Sequence, residues 1–314
     1  MKHFFFINPA AGLGKMTDPL AAQIDAVLGA AGEEYQILFT DAVGDGERKA
    51  KAAAESLGGE EARFYACGGD GTANEIVNGI AGYPNIAFGI IPIGSGNDTV
   101  RNFQDDGDFL SVEAQIKGQD KPIDLIRVDG PINGKEQSRY CLNMINIGFD
   151  SNVVEASLSL KRKPLISGPA AYMLAALGMI VQKKGTALIL KEGETTLREG
   201  KMLLCAISNG SFCGGGFYSS PQAEIDDGYF DVNIVSDIPR RRFLDLLPKY
   251  KAGTHLNDPK AQDVVAAYRC KAITVDPYDG APFHFCVDGE ILEAERFSLT
   301  MCEHALRFIH PAKL

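Results

Sequence analysis

The chain of 314 residues is 45% hydrophobic and 23% charged, a composition typical of a folded globular protein and long enough for two domains. Its formal net charge of -10 argues against a nucleic-acid-binding protein, which would need a clustered basic surface. The seven cysteines are scattered without a CxxC pair, so we expect reduced thiols in a cytoplasmic protein rather than disulfides or a zinc site.

The apolar segments predict strands and core helices rather than a membrane span. The N-terminal MKHFFFINPA has too short an apolar part for a signal peptide and predicts a first β-strand. The longest apolar stretch, residues 170–182, is shorter than the ~20 residues that cross a bilayer. Basic patches at Arg240–Arg242 and at residues 161–163 could approach an inner membrane face, although a solvated face is the more ordinary explanation of both.

The first part of the chain alternates β-rich and helical stretches, the pattern of a parallel α/β layer. Each strand is nearly continuously apolar, as expected for strands covered on both faces. Glycine-rich loops follow the first, third and fourth strands, at the carboxyl ends where open α/β sheets bind ligands. The predicted strands are HFFFIN, YQILFT, ARFYAC and IAFGII, and the predicted helices are Pro19–Ala31, Gly46–Leu57 and Ala73–Ala81.

From about residue 122 the chain changes to short strand-like runs separated by turn residues, which predicts a mainly antiparallel, β-rich sheet or sandwich. Two helical stretches, 169–184 and 241–251, interrupt these runs. We therefore divide the chain into a first domain of residues 1–121 and a second of residues 122–302, with 303–314 as a candidate to rejoin the first. An edge of the strand-rich second domain could also serve a homodimer.

The most informative motif is ACGGDGTANEIVNGI, in which a strand runs into Gly68–Thr72 and a helix follows. Glycines let a backbone approach a phosphate closely, and a helix N-terminus directs its N–H groups and positive dipole to the same place. Asp70 would repel a phosphate unless Mg²⁺ bridges them, or unless Asp70 accepts a hydrogen bond from a hydroxyl substrate or water. The alternative is an ordinary tight turn, with Thr72 or Asn74 capping the helix.

Two further loops follow strands of the same predicted sheet. Residues Asn8–Lys15 follow the first strand and Pro92–Asp98 follow the fourth, and Thr40 ends the second strand. Three loops rich in small residues and polar donors at one sheet edge are hard to attribute to turn chemistry alone. The sequence has neither a GxGxxG fingerprint nor a GxxxxGK[ST] loop, so it indicates neither a standard dinucleotide site nor a Walker-type ATPase.

The order NPxxG, GGDGTxNE and PxGSGND resembles the catalytic domain of the diacylglycerol kinase family, which includes bacterial lipid kinases and sphingosine kinases. GGDGT also recurs in the related NAD kinases and, as a variant, in phosphofructokinases, so only the three motifs together favour the lipid kinases. The resemblance implies an NAD-kinase- and phosphofructokinase-like α/β domain that uses ATP and Mg²⁺, with Asp70 supporting the Mg²⁺-nucleotide or the transferring phosphate. The residues implied to contact ATP are Asn8, Pro9, Gly12, Thr40, Gly68, Gly69, Asp70, Gly71, Thr72, Asn74 and Ser95.

Segments of the second half extend this resemblance, at residues 146–150, 208–217, 221–232 and 287–290. By itself, Asp288-Gly289-Glu290 predicts a hairpin turn of the Asp-Gly type. Phosphoryl transfer to an alcohol, however, favours one carboxylate that takes the hydroxyl proton and another that holds Mg²⁺. The resemblance implies that Asp288 is the general base and that Glu290 lies on the nucleotide or metal side.

The resemblance also implies a charged network of Asp98, Arg101 and Asp124, in which Arg101 holds Asp98 in place or meets a phosphate. The family often has a bulky apolar residue where this chain has Thr99, near the implied acceptor site. This motif therefore leaves the identity of the acceptor open.

A structural Mg²⁺ site is implied in the segment EIDDGY. Bacterial members of the family hold this ion through one Asp and two backbone carbonyls, and the matching positions are Asp227 with the carbonyls of Glu224 and Tyr229. Such a turn is a reasonable cage for a hard cation that keeps several waters. An exposed acidic turn explains the segment equally well.

Our leading hypothesis is a Mg²⁺- and ATP-dependent lipid kinase that transfers the γ-phosphoryl group to a hydroxyl of diacylglycerol or a related lipid. The nucleotide would bind the first domain, and the acceptor hydroxyl would face Asp288 of the second. An NAD kinase or another soluble-alcohol kinase is the alternative among enzymes, disfavoured by the NxGFD and DDGYFDV segments. A non-catalytic nucleotide- or lipid-binding regulator is the other alternative, and the presence of Asp70, Asp288 and Glu290 together argues against it.

Overall fold

The structure is a computed structural model that describes residues 1–103, 106–148 and 185–314. The predicted helix at 169–184, the basic residues 161–163 and residues 149–150 of the NIGFD segment lie outside the described residues. The chain divides into two compact units, Met1–Asp124 with His304–Leu314, and Leu125–Glu303. The strands β5 (Gln119–Ile132) and β15 (Phe297–His310) have residues in both units.

A parallel sheet lies at the centre of the first unit and consists of β1 (Lys2–Ile7), β2 (Glu34–Phe39), β3 (Ala62–Cys67) and β4 (Ile86–Ile91). These strands lie in the order β2, β1, β3, β4, and each neighbouring pair is parallel. β3 and β4 are buried at every residue, which explains their continuous apolar sequences. The parallel α/β architecture predicted for the first domain is confirmed.

The helices of the first unit are α1 (Thr17–Ala31), α2 (Asp45–Ser56), α3 (Asp70–Ile80) and α4 (Val112–Lys117). α3 packs closely on α2, because a Cβ on Gly79 would lie only 2.6 Å from a backbone oxygen of α2. α1 brings regularly spaced apolar side chains into one core with the first strand. These side chains are Leu20, Ile24 and Leu28, which share the core with Phe5 and Ile7.

The C-terminal part of β15 adds a strand to this sheet. Arg307 and Phe308 pair in parallel with Ala87 and Phe88 of β4. The Phe308 ring stacks on Phe103, with ring centroids 4.3 Å apart. Residues beyond 304 therefore belong to the same core as the first strands of the chain.

Arg63 of β3 binds the carboxyl end of α4. Its Nη1 donates to the Ile116 carbonyl oxygen at 2.7 Å, and its Nη2 donates to the Gly118 oxygen at 2.9 Å. The last carbonyls of a helix have no partner within the helix, so a buried helix end needs donors from elsewhere. Arg63 supplies them and connects α4 to the sheet.

The second unit is rich in strands, and the pairings described within it are antiparallel. Its strands besides β5 and β15 are β6 (Lys135–Cys141), β7 (Met144–Gly148), β8 (Thr186–Glu192), β9 (Thr195–Ser208), β10 (Phe230–Ser236), β11 (Val265–Cys270), β12 (Ala272–Pro277), β13 (Phe283–Val287) and β14 (Glu290–Ala294). The long β9 pairs with β7, β8 and β10, and β13 pairs with β7 and β14. The prediction of a β-rich, mainly antiparallel second domain is confirmed.

The second unit also contains the helix α5 (Arg240–Lys251), which buries Phe243, Leu246 and Tyr250. Arg242 of the predicted basic patch is paired with Asp263 at 2.8 Å, so its charge is already compensated. None of the described helices is long and apolar enough to cross a membrane.

Candidate active site

The loops after β3 and β4 contact each other through their backbones. The Gly94 N–H donates to the Gly68 carbonyl oxygen at 2.9 Å, and the Asp70 N–H donates to the Gly96 oxygen at 3.0 Å. A Cβ on Gly69 would lie 2.7 Å from the Gly96 oxygen, and a Cβ on Gly94 would lie 2.4 Å from the Gly69 Cα. The glycines of these two loops are therefore needed for close backbone approach.

The loop after β1 joins this pair of loops. Asn8 Nδ2 donates to Thr72 Oγ1 at 3.2 Å. Gly12 has a φ of 57°, and a Cβ there would lie 2.6 Å from the Ile93 carbonyl oxygen. The structure thus brings all three predicted loops to one edge of the sheet. The remaining residues predicted to contact ATP lie on these loops, on α3 or directly after β2, and they are Pro9, Thr40, Gly71, Asn74 and Ser95.

The helix after the GGDG loop begins earlier than the sequence predicted, at Asp70. Gly69 is its N-cap, with extended backbone and no side-chain capping bond. Thr72 and Asn74 therefore lie inside the helix, and the alternative in which one of them caps it is wrong. The Thr72 side chain instead fills the space beside Gly68, where a Cβ would lie 2.3 Å from Oγ1. A helix start of this kind directs backbone N–H groups toward an anion.

The Asp70 carboxylate binds the chain that follows β4. Its Oδ2 accepts from the Asp98 N–H at 2.9 Å, and its Oδ1 accepts from the Thr99 N–H at 3.0 Å and the Thr99 hydroxyl at 2.9 Å. Thr99, the departure noted in the sequence, therefore serves this contact with its hydroxyl. Asp70 anchors a loop in the structure, and its support of the nucleotide stays a prediction.

Two members of the predicted charged network are in contact. Asp98 is buried, and its Oδ1 lies 3.2 Å from Nε of the half-exposed Arg101. Asp124 is also buried and accepts a hydrogen bond from the His304 N–H at 2.7 Å. The structure therefore joins Asp98 to Arg101 and gives Asp124 a partner at the C-terminal strand.

Glu75, the last residue of the GGDGTANE motif, has a structural role that the sequence analysis missed. Its Oε1 accepts from the Gly44 N–H at 2.8 Å, and its Oε2 accepts from the Gly46 N–H at 2.9 Å. These N–H groups belong to the start of α2, where backbone donors lack partners within the helix. Glu75 thus connects α3 to the start of α2, and the only signal in the sequence was its place in the motif.

In the second unit, Asp288 and Gly289 form a two-residue turn between β13 and β14. Val287 and Glu290 pair on either side of the turn. The φ angles of Asp288 and Gly289 are 46° and 92°, in the left-handed region that a primed hairpin turn requires. The Asp-Gly hairpin expected from the sequence is present, and the Asp288 side chain is buried rather than exposed.

The Asp288 carboxylate is bound by the turn that precedes β7. Its Oδ2 accepts from the Leu142 N–H at 2.7 Å, and its Oδ1 accepts from the N–H groups of Asn143 at 3.0 Å and Met144 at 2.9 Å. The Cys141 thiol also donates to Oδ1, at 3.3 Å. Burial, and then the Asp288 charge, raise the pKa of Cys141 well above its usual value, so the thiol keeps its proton. Asp288 is thereby held in one orientation.

Glu290 carries an ion pair beside this turn. Its Oε2 lies 2.9 Å from Nη2 of Arg139 on β6, and both side chains are partly buried. Glu290 is the first residue of β14, directly after the Asp288–Gly289 turn, and the ion pair with Arg139 holds its side chain. The sequence offered no signal for Arg139, because its contact with Glu290 depends on the pairing of distant strands.

Two family models together match most of the chain. Residues 2–128 match the diacylglycerol kinase catalytic domain, and residues 143–310 match the YegS C-terminal NAD kinase beta sandwich-like domain. A diacylglycerol kinase of Staphylococcus saprophyticus is 31% identical over 287 residues, which is 90% of this chain and 87% of that protein. The chain belongs to the diacylglycerol kinase family. It is accordingly an enzyme, a phosphotransferase of the kinase type.

Solved structures share the fold of this diacylglycerol kinase family member. A diacylglycerol kinase from Bacillus anthracis strain Sterne has a TM-score of 0.69 at 20% identity, covering 98% of this chain and 96% of that one. An NAD kinase from Archaeoglobus fulgidus in complex with ATP has a TM-score of 0.50 at 10% identity, covering 98% and 93%. The α/β unit followed by a β-rich unit is thus the arrangement of both kinds of kinase.

The structural Mg²⁺ site implied for this diacylglycerol kinase family member stays a prediction, and its Asp227 carboxylate has partners within the chain. Asp227 Oδ1 accepts from the Tyr229 N–H at 2.9 Å, and its Oδ2 is paired with Arg269. Burial raises the pKa of the nearby Asp231 to about 6. The positive charge of Arg269 opposes this rise, and the negative charges of Asp227 and Glu224 add to it. A cation bound by the Asp227 carboxylate would have to displace Arg269.

Proposed function

We propose that this chain transfers the γ-phosphoryl group of Mg-ATP to a hydroxyl of diacylglycerol or of a related lipid. The observation that carries the proposal is the contact of the Gly68–Asp70 and Gly94–Gly96 loops at the start of α3, where backbone N–H groups can bind phosphate. The lipid acceptor is supported by a relative named diacylglycerol kinase that is 31% identical over 90% of this chain.

The residues of the first unit would bind and orient Mg-ATP, which enters as a substrate. The loops at the sheet edge would contact its phosphates, and Asp70 would keep the Asp98–Thr99 segment in position. Arg101, half-exposed beside Asp98, would add a positive charge for the phosphates. Most of the rate acceleration would come from this positioning and charge stabilisation, as in other phosphoryl transfers.

Asp288 of the second unit would act as the general base. The acceptor hydroxyl gives its proton to the Asp288 carboxylate while its oxygen bonds to the γ-phosphorus, and the bond from the γ-phosphorus to the bridging oxygen breaks to release Mg-ADP. Glu290, paired with Arg139, would shape the charge beside the base.

Transfer of labelled phosphate tests the acceptor. Purified protein is incubated with ATP labelled at the γ-phosphate and with diacylglycerol, a sphingoid base, phosphatidylglycerol or NAD. We expect label in a lipid, with diacylglycerol preferred. NAD is included because an NAD kinase shares the fold. Label found in NADP alone would refute the lipid acceptor.

The same assay tests a peripheral membrane contact. We propose that Arg240 and Arg241, both exposed at the start of α5, face an anionic lipid surface, while Arg242 stays paired with Asp263. Supplying the acceptor in anionic vesicles, neutral vesicles and detergent micelles compares the three surfaces. Equal rates in neutral and anionic vesicles would argue against the contact.

Asp288→Asn tests the base. We expect kcat to fall about 100-fold or more, because general base catalysis typically contributes 10²–10⁴-fold, and the KM for ATP to stay unchanged. Asp279→Asn is a matched control, since Asp279 is an exposed residue of another Asp-Gly turn in the same unit. An unchanged kcat in Asp288→Asn would contradict the assignment of Asp288 as the base.

A further inference from the structure

The two peptide groups that bind Oδ1 of Asp288 are themselves bound on their opposite sides. The Asn143 N–H lies 3.0 Å from Oδ1 and shares a peptide group with the Leu142 carbonyl. The Met144 N–H lies 2.9 Å from Oδ1 and shares a peptide group with the Asn143 carbonyl. Asn209 Nδ2 donates to the Leu142 oxygen at 2.8 Å. The backbone N–H of Asn209 donates to the Asn143 oxygen at 2.9 Å.

Asn209 is therefore a single residue that binds both of these peptide groups. It follows β9 directly and is fully buried. The Gly210 N–H adds a second bond to the Asn143 oxygen at 2.9 Å. A carbonyl that accepts a hydrogen bond polarises its peptide group, so the N–H on the other side becomes a stronger donor.

We propose that Asn209 is a positioning residue for the phosphoryl transfer, acting on Asp288 through the peptide groups after Leu142 and Asn143. This inference rests on the proposed role of Asp288 as the base. Asn209 would touch neither substrate. Its side chain would fix the Leu142–Asn143 peptide plane, and with it the direction of the Asp288 carboxylate toward the acceptor hydroxyl.

Asn209→Ala removes the side-chain donor and keeps the backbone N–H. We expect kcat to fall about 10- to 100-fold, because a misplacement of ~1 Å can cost about 100-fold, while the KM for ATP stays unchanged. The acid limb of the pH–rate profile should move to higher pH, because weaker N–H donors stabilise the ionised Asp288 less. A residue that only supported the fold would not move this limb.

Asn233→Ala is the matched control. Asn233 is a buried asparagine of the same unit whose Nδ2 donates to Ser220 Oγ at 2.7 Å, and not to the Leu142 carbonyl that Asn209 binds. We expect it to keep the wild-type kcat and acid limb. Thermal unfolding of both variants shows whether the loss of a buried hydrogen bond costs them similar stability.

Asn209→Leu is close to asparagine in volume and has no donor, so its kcat serves if Asn209→Ala does not fold. A wild-type kcat in either Asn209 variant overturns the proposal. A lower kcat in Asn209→Ala without a shift of the acid limb of the pH–rate profile overturns it as well. Asp288→Asn separates this failure from that of the proposed function. If Asp288→Asn is inactive and the Asn209 variants are unaffected, only the positioning role is wrong.

Discussion

At the scale of single residues, Asp70 and Asp288, two of the carboxylates proposed for the reaction, each accept backbone N–H hydrogen bonds on both oxygens. Asp70 accepts from Asp98 and Thr99, and Asp288 accepts from the turn at residues 142–144. A carboxylate bound in this way has a fixed direction. Fixed groups suit phosphoryl transfer, in which positioning and charge stabilisation supply most of the acceleration.

Asp70→Asn tests the anchoring of the loop. An amide at this position replaces one acceptor oxygen with a donor, so one N–H of the Asp98–Thr99 segment loses its partner at a cost of about 1–3 kcal/mol. We expect the KM for ATP to rise about tenfold or more, in line with that loss, and the free energy of unfolding to fall.

The control for this change is Asp18→Asn. Asp18 is also an acidic residue in the first turn of a helix, but it is exposed on α1. In steady-state kinetics and in urea unfolding, the Asp18→Asn variant should match the wild type within error. If Asp70→Asn behaves like Asp18→Asn in both measurements, the anchoring role is wrong.

At the scale of elements, the ends of helices in the first unit are connected to the sheet and to each other by side chains distant in sequence. Glu75 of α3 binds the start of α2, and Arg63 of β3 binds the end of α4. The start of α3 has no side-chain capping bond, and it is there that we propose phosphate binding. The elements around the proposed phosphate site are thus held in place by these contacts.

Arg63→Met tests the connection between β3 and α4. The change leaves buried carbonyl oxygens at the end of α4 without their donors, which we expect to lower the free energy of unfolding by about 3 kcal/mol. Arg48→Met is the control, because Arg48 is a largely exposed arginine whose ion pair with Asp45 should contribute less than about 1 kcal/mol. Urea unfolding measures both, and equal losses would show that Arg63 does not serve α4 in this way.

At the scale of the whole molecule, each unit has its own apolar core and also buries groups that titrate. In the second unit, aromatic side chains such as Phe285 and Phe297 pack with ring centroids 4.7 Å apart. His255 is buried against Tyr250, with ring centroids 4.7 Å apart, and burial lowers its pKa to about 4. Burial likewise lowers the pKa of His3 in the first unit to about 4.

These histidines should make the stability of the protein depend on pH. A folded-state pKa of about 4, below the ordinary 6.5, means that the unfolded chain binds the proton more readily. The contribution of His255 is therefore fully present above pH 6.5 and is lost as the pH falls toward 4, up to about 3 kcal/mol. The raised pKa of Asp231, about 6, acts in the opposite direction and offsets part of this dependence.

His255→Phe should flatten the pH dependence. We expect the loss of unfolding free energy between pH 6.5 and 4.5 to become smaller than in the wild type, measured by urea unfolding at each pH. His284→Phe is the control, because His284 is exposed and its ion pair with Glu293 at 3.3 Å should contribute less than about 1 kcal/mol. Equal slopes in wild type and His255→Phe would contradict the assignment.

The start of α3 differs from the sequence prediction, which began the helix at Ala73 rather than at Asp70. Asp70 and Gly71 are poor helix formers, so local propensity placed the helix start later. The Asp70 N–H and its carboxylate are instead fixed by Gly96, Asp98 and Thr99 on the loop after β4. Tertiary contacts therefore outweighed the local preference.

The sequence by itself determined the parallel α/β first unit, the β-rich second unit and the three glycine-rich loops, because these follow from local apolar patterns and from glycine placement. It also carried the motifs by which the family is recognised. Only the tertiary structure decided the partners of the carboxylates. Asp70 accepts a hydrogen bond from the backbone of Thr99, 29 residues away, and Asp288 accepts one from the backbone of Leu142, 146 residues away. Asp227 likewise pairs with Arg269, 42 residues away, in a turn for which the sequence left a cation site and an exposed acidic turn equally open. Such pairings depend on strand register and on loops that meet in space, which no local pattern encodes.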